Sequence, residues 1–224
     1  MGTNAQADSH RVGCIGCEMS ATNKNFLSVS IEGGDSTGKG TQTALLKDAL
    51  ENAGLKTKAV EVPVKSLITW HLIYFMLRNK LASKFPRFFH FVQFVNKQWW
   101  QTFTLPWIMM KYDAIVFDRW HGSYWVYGRE TGLRADDKLM KLYWLHFRPT
   151  CTVVLKGARH ALEERDEYEK DHSLQSRVNT RYVEWAAENH ETVSIVHANQ
   201  TTPAVHRDII NVLYDRGLLN KDDK

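Results

Sequence analysis

The chain has 224 residues, 43% apolar and 24% charged, with a net charge of +4. That length and balance suit one globular α/β domain with a small mobile insertion, and exclude fibrous or wholly disordered chains. The basic excess is mild and forms no basic run, which argues against nucleic acid as a partner and suits a protein that handles anionic phosphates.

Residues 1–24 are small, polar and aperiodic, and read as a disordered extension. Cys14 and Cys17 form a lone C-x-x-C; His10 is a third candidate ligand and nothing supplies a fourth, so free thiols are the expectation. The first residues lack the apolar core of a secretory signal, and no run of about 18 apolar residues occurs, so neither export nor a membrane partner is expected. The expected setting is the cytoplasm.

Residues 26–31 predict a buried strand, followed by a glycine-rich turn. Residues 39–53 predict a helix, with Ala44, Leu45, Ala49 and Leu50 at helical spacing and Gly54 as its stop. Residues 56–62 predict a second strand, closed by Pro63. Residues 66–112 are rich in aromatic side chains, most of them expected in the core and one or two free to stack on a base. Residues 113–117, 151–155 and 193–197 predict three more strands, with helical stretches between. The alternation predicts a three-layer fold, a five-stranded parallel sheet with helices on both faces, over residues 25–218, with residues 219–224 as a tail. In such sheets ligands gather beyond the carboxyl ends of the strands. Three clusters lie there, at residues 33–41, 63–66 and 118–119.

Gly33-x4-Gly38-Lys39 between a strand and a helix is the P-loop pattern. Its glycines let successive N–H groups turn inward, and with the helix N-terminus they form a nest for phosphate oxygens. Gly33, Gly34, Asp35, Ser36, Thr37, Gly38, Lys39, Gly40 and Thr41 are therefore the candidate ATP-binding residues, with Lys39 reaching the β- and γ-phosphates. Gly40 stands where a serine or threonine usually carries a Mg2+ hydroxyl ligand. Thr41 and Asp118 are the remaining candidate metal ligands, Asp118 because it ends a buried strand as Walker-B acids do.

The run Glu32-Gly33-Gly34-Asp35-Ser36-Thr37-Gly38-Lys39-Gly40-Thr41-Gln42 resembles the thymidylate kinase family, which carries E-G-x-D-x-x-G-K-S-T-Q, while its Gly-Thr-Gln ending resembles adenylate kinases. Asp118-Arg119-Trp120 with Ser123 and Tyr127 resembles the thymidylate kinase D-R-[YH]-x-x-S-x-x-A-[YF], Trp120 replacing tyrosine or histidine. Pro63-Val64-Lys65-Ser66 resembles a P-x-R-S segment, with Lys65 in place of arginine. Arg177 and Arg181-Tyr182 are similar to the helix after the family's lid, and the likeness extends over roughly residues 26–215.

The resemblance implies ATP-dependent phosphorylation of a deoxynucleoside monophosphate, dTMP to dTDP first, with Mg2+. It places a lid at roughly residues 159–173. Phosphoryl transfer needs alignment and charge neutralisation more than covalent chemistry. Lys39, Asp118, Arg119 and a lid arginine are the candidate catalytic groups; Arg165 is favoured over Arg159, with Lys170 and Arg177 nearby. Arg119 has the planar fork that matches phosphate oxygens. Asp35, Lys65, Phe94, Arg119 and Tyr168 are the candidate acceptor-binding residues. The register around Phe94 stays open, because Asn96-Lys97 argues for a shift that puts Lys97 or Gln98 at the family's phosphate-directed arginine. Other acceptors, including unphosphorylated deoxynucleosides, and a non-catalytic nucleotide-binding regulator are the alternatives. Family members are often dimers, and the aromatic segment is the candidate homodimer surface.

Overall fold

The computed structural model describes residues 26–157 and 171–220. The N-terminal C-x-x-C and His10, most of the expected lid with Arg159, Arg165, Tyr168 and Lys170, and residues 221–224 lie outside them.

Five strands, β1 (Leu27–Gly33), β2 (Thr57–Glu61), β3 (Ala114–Asp118), β4 (Cys151–Lys156) and β5 (Val193–His197), form one parallel sheet in the order β2-β3-β1-β4-β5. β1 is buried at every residue, and β3 and β4 nearly so. That is what a central parallel strand covered on both faces requires, and why these strands are near-continuous apolar runs.

Helices α1 (Lys39–Asn52) and α9 (Thr202–Asp215) bring Leu46, Leu50, Val205, Ile209 and Leu213 into one core with β1 and β4. The second core joins α2 (Ile68–Arg78), α3 (Leu81–Lys84), α4 (Pro86–Phe103), α6 (His121–Glu130) and α8 (His172–Glu188) through Ile73, Ala82, Phe89, Val126, Tyr182 and Trp185. α5 (Leu105–Lys111) completes a third with Trp100, Ile108, Phe117 and Trp120. Pro106 opens α5, where its missing N–H costs nothing, and so marks the break after α4. A short helix α7 (Lys138–Lys141) and a 3-10 turn (Leu142–Leu145) lead into β4.

Register places the site. Ile31 of β1 pairs with Asp118 on one side and Val153 on the other, and Glu61 of β2 also pairs with Asp118. The strands therefore end together, and the loops after β1 and β3 meet at one edge.

Candidate active site

The turn from β1 into α1 needs unusual backbone. Gly33 (φ 143°), Ser36 (φ 60°) and Gly38 (φ 88°) all lie at positive φ. A β-carbon on Gly33 would stand 2.7 Å from the Leu155 carbonyl oxygen, so glycine is required there by space as well as by conformation. The Thr37 hydroxyl donates to the Gly34 carbonyl at 3.0 Å, and the Lys39 ammonium donates to the same oxygen. Lys39 is 6% exposed. Burial, with Arg119 adding to it, pulls its ammonium down to about 8 against the pull of Asp35, Asp118 and Glu32. A buried cation so placed gains most when phosphate oxygens arrive.

Arg119 lies just past β3 at φ 65°, in the left-handed region. Its guanidinium donates to the Gly33 carbonyl at 3.1 Å and forms an ion pair with Asp35. Asp35 Oδ2 also accepts from the Tyr127 hydroxyl at 2.8 Å and from Gln175 Nε2 at 2.5 Å, while the Asp35 N–H donates to Gln175 Oε1 at 2.9 Å. Burial pushes the Asp35 carboxyl up, but Arg119, Lys39 and the Tyr127 and Gln175 hydrogen bonds together hold it below the usual carboxylate range. Two cations and one ionised acid thus face the loop.

Glu32 organises the floor. It is 0% exposed, and its carboxylate accepts from the N–H groups of Trp120 (2.8 Å) and Gly122 (3.0 Å), from the Ser123 hydroxyl (2.5 Å) and from the Tyr182 hydroxyl (3.2 Å). One acid at the end of β1 thereby locks the turn after β3 and the start of α6.

Asp118 points across the sheet edge to α1. A β-carbon built on Gly40 would be 3.3 Å from Asp118 Oδ2. Burial raises the Asp118 carboxyl, opposed by Lys39 and Arg119. Its carboxylate accepts no hydrogen bond from a described residue, although Lys39 and Arg119 attract it. No group of three or more metal-ligating side chains occurs among the described residues. Thr41 is exposed on the first turn of α1.

The other expected residues divide. Lys65 turns to Glu61, at 2.6 Å, with its ammonium 5.9 Å from the Trp70 ring centre. Phe94 is half-buried, edge-on to His146 at 5.7 Å and tilted against Tyr124 at 6.3 Å. Asn96 and Lys97 point inward. Asn96 accepts from the Val64 N–H at 2.9 Å and donates to the Val64 carbonyl at 3.2 Å, and Lys97 donates to the Trp120 carbonyl at 2.8 Å. Arg177 is taken up by Glu130 at 3.3 Å and is half exposed. Arg165 and Tyr168 lie outside the described residues.

Three contributors escaped the sequence reading. Tyr127 appeared there only as a motif letter, and Gln175 and Asn179 of α8 not at all. The Asn179 side chain lies directly against Gly34, where any β-carbon would collide with it. Gln175 and Asn179 are four residues apart on one helix face, with Tyr182 continuing it, and that spacing was the available signal.

A phosphate nest with a buried lysine, and an arginine–aspartate pair on its far side, can hold two phosphate-bearing molecules end to end. The sequence profile of the family described as thymidylate kinase matches residues 31–209. No curated protein sequence shows a significant match. Among solved structures, thymidylate kinase from Candida albicans superimposes with a TM-score of 0.69 at 20% identity, covering 88% of this chain and 96% of that one. Thymidylate kinase from Ehrlichia chaffeensis gives 0.66 at 17% identity, covering 84% and 99%. With the profile spanning most of the chain, and its matched residues carrying the loop, the Asp118-Arg119 turn and α8, this protein belongs to the thymidylate kinase family.

Proposed function

We propose that the chain performs its family's reaction, transfer of the γ-phosphoryl group of ATP to dTMP, with Lys39 and Arg119 as the protein's two principal phosphate-handling groups. The observation that carries this reading is the placing of Arg119 between Gly33 and Asp35, so that its guanidinium borders the loop that Lys39 closes. Residues 33–41 hold the ATP phosphates. Lys39 neutralises the transferring group, and Arg119 binds the acceptor phosphate with Asp35 fixing its direction. The expected lid at residues 159–173 would add an arginine, Arg165 first, to stabilise the charge that develops in transfer.

The residues present fit Mg2+. Asp118 is a carboxylate without a described hydrogen-bond donor, beside a glycine that leaves it room. Mg2+ characteristically takes one or two carboxylates and keeps several waters, so one acid suffices. Asp118 would hold the ion, with Thr41 the second candidate. Bound there, it would neutralise phosphate charge.

The acceptor is the open choice. The Candida protein is described as having broad substrate specificity. Gly40, Lys65 and Trp120 depart here from the usual side chains. The test is an acceptor scan with ATP over dTMP, dUMP, dGMP, dCMP, AMP and unphosphorylated nucleosides. Preference for dTMP supports the reading; phosphorylation of nucleosides alone would overturn it. A cytoplasmic setting is part of this reading, resting on the few cysteines of the chain. No helix among the described residues is long and apolar enough to cross a membrane. The exposed apolar face of α2 and α4 is the proposed homodimer surface.

A further inference from the structure

Trp120, the residue after Arg119, is gripped at both of its backbone polar atoms by buried charge. The Trp120 N–H donates to Glu32 at 2.8 Å, and the Trp120 carbonyl accepts from the Lys97 ammonium at 2.8 Å. Glu32 and Lys97 are 0% and 2% exposed. They come from β1 and α4, and no ion pair joins them among the described residues. Each therefore meets the other's charge across one tryptophan residue. The ring of that residue is wedged as well, stacked on Phe117 at 4.6 Å and edge-on to Trp100 at 5.7 Å.

Arg119 needs such a grip. It is a non-glycine residue at φ 65°, a strained conformation that persists only where neighbours over-determine it. Its own N–H is fixed to the Ile31 carbonyl at 3.0 Å. Lys97 supplies the restraint on the other side. A buried ammonium is costly, and its hydrogen bond runs to a backbone oxygen next to the phosphate-binding arginine.

We propose that Lys97 is a positioning residue: its ammonium, anchored on the Trp120 carbonyl and balanced by Glu32 across the same residue, holds Arg119 in the left-handed conformation that aims its guanidinium at Gly33 and Asp35. The inference rests on the proposed acceptor-phosphate role of Arg119. It assigns Lys97 no contact with substrate.

The surroundings define what pH should do. Glu32 on β1, Arg119 after β3, His90 on α4, His121 and Tyr124 on α6, and His146 after the 3-10 turn all face Lys97 electrostatically or by ring contact. Burial first, with Lys97 adding to it, brings His90 and His146 down to about 3, so both stay neutral. Burial brings Lys97 itself down to about 7, Glu32 opposing and Arg119 adding. Below that value the ammonium is charged and the grip is complete; as pH rises through it the charge is lost and the grip weakens.

The experiment compares wild type, Lys97→Met and Lys97→Arg in kcat/KM for dTMP, in ATP affinity and in melting temperature. Lys97→Met keeps the stem and removes the charge. It should lower kcat/KM for dTMP about 30-fold with ATP affinity changed less than about threefold, the size expected for one charged hydrogen bond. Lys97→Arg, charged at every working pH, should restore most of that loss. In wild type, kcat/KM for dTMP should begin to fall as pH rises through about 7, and Lys97→Arg should move that fall upward, to the Lys39 value of about 8. An unchanged acceptor response in Lys97→Met, equal loss on both substrates, no rescue by arginine, or identical pH profiles would overturn the proposal. The wild-type profile requires no variant to fold. Wild-type turnover on dTMP tests the reaction and the variants test the grip, so the two can fail separately.

Discussion

Lys39 carries the largest predicted loss. It is buried, so methionine fills its space, while the positive charge facing the phosphates disappears. Lys39→Met should lower kcat about 100-fold or more, as removal of a preorganised charge does, with little change in melting temperature. Steady-state kinetics beside a thermal melt checks this. Undiminished turnover would remove the loop from the mechanism. Asp118→Asn belongs to the same scale. It should raise the Mg2+ concentration for half-maximal rate about tenfold, read from a Mg2+ titration at fixed ATP, because a neutral amide is a poorer ligand for a hard cation. Asp35 gives the pH dependence. Its carboxyl is held below the ordinary range, so its contribution to stability is present above the unfolded value near 3.8 and is lost as pH falls through the lower folded value. Asp35→Asn should therefore show a shallower acid limb than wild type in melts between about pH 5 and 2. The loop and Asp118-Arg119 were legible in the sequence because their spacing is local. The partners of Asp35 were not: Gln175 lies 140 residues away and Tyr127 lies 92 away. Only the sheet register and the packing of α6 against α8 bring them together.

At the scale of elements, the strands could be read because a covered parallel sheet forces apolar runs, and all five appear where the pattern placed them. The helices of residues 66–112 were harder. Most of the aromatic residues there were expected in the core, but Tyr74, Phe75, Phe85, Phe88, Phe91, Trp99, Phe103 and Trp107 are exposed, because each helix buries only one stripe of its surface. Phe94 was expected at the acceptor, with the register around it open, and it is Asn96 and Lys97 that are the more deeply buried residues. The meeting of α6 with α8 is tight at one point. A β-carbon on Gly122 would stand 2.7 Å from the Trp185 ring and 3.0 Å from Glu32 Oε1. Both neighbours are nearly or wholly buried and cannot give way. Gly122→Ala should therefore cost about 1–3 kcal/mol by overpacking. That lowers the melting temperature by about 2–4 °C per kcal/mol for a domain of this size. Differential scanning calorimetry measures it, and an unshifted melt would mean that the two helices part more readily than their packing implies.

The whole molecule presents one face unlike the rest. On α4, Phe88, Phe91, Trp99 and Phe103 are exposed along one side of the helix, and on α2 so are Ile68, Leu72 and Phe75. α2 packs directly on α4. Contiguous exposed apolar surface of this kind marks an interaction site. The chain from Val62 to Tyr112 contains no aspartate or glutamate, yet carries Lys65, Arg78, Lys80, Lys84, Arg87, Lys97 and Lys111. Lys97 is buried, Arg87 is paired with Asp137 at 3.0 Å, and Lys65 is paired with Glu61 at 2.6 Å. The others leave an excess of positive charge around the apolar stripe. If two copies meet on this face, apolar burial drives association while like charges oppose it. Salt shortens the range of that repulsion to about 8 Å at physiological strength and to about 3 Å at 1 M, and leaves the apolar contact in place. A dimer formed on this face should therefore tighten as salt rises, opposite to an interface built on ion pairs. Light scattering after size exclusion, from about 0.05 to 0.5 M NaCl, follows the monomer–dimer balance across a range in which the screening length falls severalfold. Phe91→Asp should shift that balance to monomer at every salt concentration, because it buries an unpaired acid in the apolar stripe. A dimer that dissociates as salt rises, or that survives Phe91→Asp, would place the contact elsewhere on the molecule.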